Sequence, residues 1–149
     1  RQMCIRDRER PVVSGISGYD FLEINEECLQ NNYQNKDYIV TRIIEAWGTI
    51  EKYLNYGIGF IAVEGDRIAG MILGTANYEN ILPIDIETLK DHRKKGIATE
   101  LTRRFLAYCY DNKLTAYWNC IISNAESRNI AEKAGFQFIG SKDYYYFNI

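Results

Sequence analysis

Between residues 81–89, a strand-like run reading ILPIDIETL, and residues 96–112, where Ile97, Leu101, Phe105 and Cys109 recur every four positions, lies the hexapeptide Arg93-Lys94-Lys95-Gly96-Ile97-Ala98. A strand that feeds a helix through a basic, glycine-bearing turn aims the helix's first free backbone N–H groups at one point. The helix dipole also favours an anion there. Arg93, Lys94 and Lys95 add positive charge, and Gly96 lets the backbone approach a ligand closely. The plainer reading is a solvated charged turn; the strand before it and the helix after it favour a phosphate cradle.

The rest of the chain supplies a fold around this turn. Residues 19–25 alternate as a first strand, and 26–32 form a short helix. Across 37–47, Ile39, Ile43 and Trp47 recur with Val40 and Ile44 beside them, which predicts a helix with one broad buried stripe. Gly48 ends it, and 49–55 add another turn or two. Residues 58–63 and 67–76 flank Glu64-Gly65-Asp66 as a β-hairpin. Residues 81–89 are the adjacent strand, with Pro83 near its start, where a missing donor costs least. The long helix over 96–112 carries Tyr108 on its apolar stripe, with Glu100, Arg103, Arg104 and Asp111 elsewhere around it. His92, in the loop before it, is expected to face solvent. Residues 115–122 (TAYWNCII) are a buried strand in which Trp118 is core packing. Ser123-Asn124-Ala125-Glu126 then opens a helix with a capping-box pattern, closed by Gly135 before Phe136. Residues 136–149 form one aromatic, strand-like terminal segment.

No internal repeat or low-complexity linker divides this order, so residues 11–149 read as a single domain. Residues 1–10, RQMCIRDRER, are dense in charge, lack any period and do not begin with methionine. They read as a non-native or truncated leader.

Composition excludes several classes. With 149 residues and 46% hydrophobic content the chain can bury one good core. A formal net charge of -2 argues against a general nucleic-acid binder; the positive charge is confined to 93–95 and Arg103-Arg104. No apolar run is long enough to span a bilayer and nothing resembles a secretory leader, which makes the cytoplasm the default compartment. Cys4, Cys28, Cys109 and Cys120 have no CxxC spacing and accompany a single histidine, so neither zinc nor a disulfide framework is expected. Cys109 and Cys120 read as buried thiols.

Arg93, Gly96 and Ala98 match the acetyl-CoA signature of the GNAT superfamily of N-acetyltransferases: Arg or Gln, two residues, Gly, one residue, Gly or Ala. A second signature follows at the right distance as Asn124, Ser127 and Gly135-Phe136, and the order of elements also resembles that family. More narrowly, AWGTIEKYL, IETLKDHRKKGIAT, YWNC and AEKAGF are similar to a subgroup that includes the zwittermicin A self-resistance enzyme, over roughly residues 38–147. Members of that subgroup usually carry further sequence before this part.

The resemblance implies an α/β (α+β) fold, with a mixed, mostly antiparallel twisted sheet flanked by helices and splayed between the fourth and fifth strands. It implies that the backbone N–H groups of 94–99 hold the pyrophosphate of acetyl-CoA, with Arg93, Lys94, Lys95, Gly96, Ile97, Ala98 and Thr99 forming the site. Ile86, Glu87 and Thr88 would pair with the pantetheine arm. Asn124 would hydrogen-bond that arm, with Ser127 close by; Asn124 reads equally as a helix cap.

The implied reaction is direct attack of a small-molecule primary amine on the thioester, with no metal, nucleic acid or membrane involved. Oligomeric state is left open, a homodimer included. The amine must lose a proton, and Glu87 is the first candidate base, with Asp85 behind it. Either could instead bind a cationic acceptor or be a satisfied polar residue. The family's usual tyrosine acid, seven residues after the Asn, is here Ala131, leaving solvent or Tyr144 in its place. That departure keeps open a second class, a CoA-binding sensor or scaffold without turnover. A P-loop site is disfavoured because no Gly-Lys-Ser/Thr ending follows the glycine.

Overall fold

The computed structural model describes residues 2–3, 10–121, 125–134, 136–141 and 144–148, with side chains described for 10–118, 129–134 and 136. Eight strands, β1 (Gln2–Met3), β2 (Asp20–Glu23), β3 (Gly59–Glu64), β4 (Arg67–Gly74), β5 (Ile81–Thr88), β6 (Thr115–Ile121), β7 (Gln137–Ser141) and β8 (Tyr144–Asn148), form one sheet in the order β1-β7-β8-β6-β5-β4-β3-β2. Every described pairing is antiparallel except β5 with β6. The mixed, mostly antiparallel sheet flanked by helices is the expected fold.

Apolar residues on both faces of the central strands require cover on both sides. On one face, α1 (Glu26–Gln30), α2 (Lys36–Trp47) and α3 (Ile50–Tyr56) bury Ile39, Ile43 and Tyr53 against Ile61, Met71 and Leu73. On the other, α4 (Ile97–Asp111) and α5 (Ala125–Ala134) bury Ile97, Leu101, Phe105 and Ala131 against Ala62, Ile72, Leu82 and Trp118. Local signals end the helices as their chemistry predicts. Asn25 and Thr49 accept N-cap bonds from the amides of Cys28 and Lys52, and Gly48 closes α2 on the Ile44 carbonyl.

Three expectations change. The terminal aromatic segment is two strands, β7 and β8, paired antiparallel. Glu100 is only 2% exposed although its spacing set it off the apolar stripe of α4. His92 is 8% exposed and so is buried rather than solvent-facing. A short 3-10 turn over Lys90–His92 rolls its ring inward onto Tyr19, whose hydroxyl lies 2.8 Å from Nδ1. Gln2–Met3 pair with β7, so two residues of the set-aside leader lie at the sheet edge.

Candidate functional site

Strands β5 and β6 run parallel from Ile81 opposite Thr115 to Pro83 opposite Tyr117, and their pairing then stops. On its other side β5 continues along β4 to Thr88 opposite Gly70. The fourth and fifth strands of the sequence reading therefore fork, as expected. The fork opens into a cleft of about 570 Å³ whose wall includes Ile86, Glu87, Thr88, Trp118 and the first residues of α4.

Geometry at the head of α4 suits an anion. Gly96, the N-cap, has φ +82 and offers no side-chain acceptor to the first amides of the helix. Lys94 also adopts a left-handed conformation, at φ 63, which costs a non-glycine residue roughly 1 kcal/mol. Backbone held this way turns successive N–H groups toward one concavity. The Arg93 guanidinium closes the turn from below, its Nε donating to the Thr88 carbonyl at 3.0 Å. Within the cleft, Thr88 Oγ1 is buried with no hydrogen-bond partner among the described residues.

Of the expected cofactor residues, Ile86, Glu87, Thr88, Arg93, Lys94, Gly96, Ile97, Ala98 and Thr99 are gathered on the cleft wall. Lys95 turns aside, with Nζ donating to the Tyr19 hydroxyl at 3.3 Å. Asn124 lies outside the described residues, and the side chains of Ser127 in α5 and Tyr144 in β8 are likewise outside them. Ala131 is fully buried in the α4–α5 core, away from the cleft-lining Asn129, Ile130 and Lys133 of the same helix. Those three, with His92, were missed in the sequence; a helix facing a fork is the only signal that could have offered them. Trp118, read as core, is core, 5.3 Å from Phe136 ring to ring, and also forms part of the wall.

The Arg103-Arg104 pair does not join the loop. Arg104 Nε bonds Glu100 Oε2 at 3.0 Å, its guanidinium lies 4.8 Å over the Phe21 ring, and Arg103 reaches Glu100 at 3.9 Å.

Beneath β5 lies a second charged cluster. Asp85 and Glu87, two apart on the strand, face α2, where Arg42 bonds both: Nη1 to Asp85 Oδ2, and Nη2 to Glu87 Oε1 at 2.5 Å. Burial weakens the guanidinium's hold on its proton, but the hydrogen bond and charge of Asp85, with Glu87 and Tyr38, more than restore it, leaving Arg42 above its ordinary value. The same guanidinium sits 5.1 Å over the Tyr38 ring. Burial first, then the nearby Glu87, pushes the Tyr38 phenol up, and its buried hydroxyl has no hydrogen-bond partner among the described residues. Glu87 thus belongs to both the cleft wall and an ion-paired cluster.

Comparison with known proteins identifies a family and a shared fold. The sequence model of one family, GNAT acetyltransferase, matches residues 9–145. YdfB of Bacillus subtilis (strain 168), described as an uncharacterized N-acetyltransferase, is 29% identical over 102 residues, covering 68% of this chain and 39% of that protein. A GCN5-related N-acetyltransferase-like protein from Streptococcus suis 89/1591 superposes with TM-score 0.69 at 19% identity, over 89% of this chain and 50% of that one. This chain therefore spans half or less of the length of both. A Bacillus anthracis (strain Ames) protein with a proposed streptothricin acetyltransferase assignment, solved with acetyl coenzyme A, gives TM-score 0.58 at 22% identity over 66% of each chain. A variant of the spermidine N-acetyltransferase SpeG of Vibrio cholerae gives 0.66 at 17% identity, over 89% of this chain and 94% of that one.

Proposed function

The chain belongs to the GNAT acetyltransferase family, and on that premise we propose that it binds acetyl-CoA in the β5–β6 fork and transfers the acetyl group to a primary amine of a small molecule. The observation that carries this reading is the uncapped, left-handed head of α4 standing at the mouth of the fork. An anion site there fits the pyrophosphate, and an open strand edge fits the peptide-like pantetheine arm.

In the proposed reaction the neutral amine attacks the thioester carbonyl in a ternary complex. A C–N bond forms, the oxyanion is stabilised by an N–H donor of the β5 edge near residues 86–88, and the C–S bond breaks to release the thiolate. The amine's proton passes to Glu87, directly or through water. Arg42, paired to Glu87 through Nη2, holds that carboxylate in place on the cleft wall. With alanine at 131, Tyr144 or solvent returns a proton to the thiolate. An amine acceptor is supported by the names of the relatives, one an N-acetyltransferase and another acting on spermidine. The resemblance of the sequence to the zwittermicin A resistance subgroup is the reason to include antibiotic-like amines in the acceptor screen.

The test is thiol release from acetyl-CoA in the presence of a panel of primary amines, polyamines and aminated antibiotics. Amine-dependent release is expected for at least one acceptor class. Tight acetyl-CoA binding with no transfer to any amine would replace the enzyme by a CoA-binding sensor.

A further inference from the structure

The anion loop does not hold its shape alone. Lys94 is left-handed without being glycine, and Gly96 follows in the same region of conformation, so the unliganded loop is drawn toward other states unless something outside it resists. The resistance comes from about eighty residues earlier in the chain. Residues 10–19 run along α4 from its C-terminal end to its N-terminal end. Arg10 pairs with Asp111 at 2.9 Å, the Ser14 amide donates to Glu100 Oε2 at 2.9 Å, and Arg104 Nη2 donates to the Ser14 carbonyl at 3.0 Å. A turn closed by the Tyr19 amide on the Ile16 carbonyl at 3.0 Å, with Gly18 at φ +87, then delivers the Tyr19 ring to the loop.

At that point three polar groups form a chain. Lys95 Nζ lies 3.3 Å from the Tyr19 hydroxyl, which lies 2.8 Å from His92 Nδ1, and the Tyr19 and His92 rings meet edge to face at 5.7 Å. An ammonium can only donate, so the Tyr19 oxygen accepts from Lys95 and its own proton is free for Nδ1. A neutral imidazole that accepts at Nδ1 carries its proton on Nε2. His92 is part of the cleft wall, whereas Lys95 is not.

We propose that Tyr19 is a positioning residue for the anion site: it holds Lys95 outside the cleft and fixes His92 in the tautomer whose Nε2–H donates to an anionic group of bound acetyl-CoA. This rests on the acetyl-CoA reading above. It adds a ligand contact, His92, and a support, Tyr19, that lie outside the hexapeptide.

The test pairs titration calorimetry of acetyl-CoA with long-range ¹H–¹⁵N NMR on the untagged chain, whose single histidine gives one imidazole pattern. Tyr19→Phe keeps the ring and removes only the hydroxyl, so the thermal midpoint should hold within a few degrees while affinity falls roughly tenfold, the loss of one or two hydrogen bonds. The parent should show the Nε2–H tautomer, and Tyr19→Phe a mixture. Because Tyr19 acts through His92, the Tyr19→Phe/His92→Phe double variant should bind no more weakly than His92→Phe alone. Equal affinity of the parent and Tyr19→Phe, or an Nδ1–H tautomer in the parent, overturns the proposal and leaves the cofactor reading intact. A folded parent that binds no acetyl-CoA overturns both.

Discussion

The two faces of the sheet hold charge near the fork by different means. On the α4 face the positive end of a helix and a left-handed turn present backbone N–H groups, and the side chains around them mainly support the backbone. On the α2 face charge is carried by side chains alone, one guanidinium between two carboxylates, with a phenol against it. The first arrangement is local, packed into consecutive residues of a strand–turn–helix. The second joins residues more than forty positions apart, and it exists only once α2 has docked. A backbone site binds anything anionic of the right reach, whereas a side-chain cluster can be tuned to one partner. Under the proposed function, the cofactor role falls to the first and the acceptor role to the second.

The exception on the α4 face sharpens the contrast most. Glu100 places a carboxylate in the first turn of the helix that should attract the anion, and it is buried there against Ser14 and Arg104. Glu100→Leu strands these partners and should lower unfolding free energy in urea by about 3 kcal/mol. It should also weaken acetyl-CoA binding, because the support is loosened. Tighter binding would mean that the carboxylate's charge opposes the ligand, and the division between faces would fail.

Matched guanidinium deletions come next. Arg42→Met should cut turnover with a responsive amine by roughly tenfold while acetyl-CoA affinity stays within about twofold, and Arg42→Lys should restore only part of the rate because it cannot fork between two carboxylates. Arg93→Met should do the reverse, weakening acetyl-CoA about fivefold in calorimetry. Equal effects of the two variants on affinity would erase the distinction.

The smallest effect at neutral pH is expected at Cys109, whose thiol burial alone pushes from 9.0 up to about 12. A raised folded-state value means that the proton is released more easily by the unfolded chain. Stability from this group is therefore fully present below pH 9.0 and is lost as pH rises toward about 12. In chemical denaturation, Cys109→Ala should flatten that alkaline decline while changing little of its slope near pH 7. On the α2 face Tyr38 is likewise held neutral, by burial with Glu87 assisting, so removing Glu87 should bring Tyr38 back toward its ordinary value and also take one ion-pair partner from Arg42.

The same division explains what could be read before folding. The strand–turn–helix around Gly96, the hairpin at Gly65 and the stripes of α2 and α4 depend on neighbours within a few residues, so their periodicity was visible. Glu87 was visible as a candidate base, but its pairing with Arg42 was not, since nothing local connects a helix residue to a strand residue across that separation. Tyr19 and His92 stayed hidden for the same reason, and an exposed loop was the natural expectation for a lone histidine among lysines. The β7–β8 pair was missed because both strands carry aromatic residues and read as one continuous segment. Among the described residues no helix is long and apolar enough to cross a membrane, in keeping with the absence of a long apolar run.

The most direct measurement is calorimetric titration of acetyl-CoA into the parent chain and into Gly96→Asp. Gly96 has φ +82, so any side chain there is strained, although a Cβ would meet only Ile16 at 3.8 Å. Aspartate adds a negative charge at the positive end of α4. Micromolar binding by the parent and a loss of at least about a hundredfold in a variant that still unfolds cooperatively is the predicted result. A folded parent that does not bind, or a variant that binds as well as the parent, would contradict the assignment of the α4 head as the acetyl-CoA site.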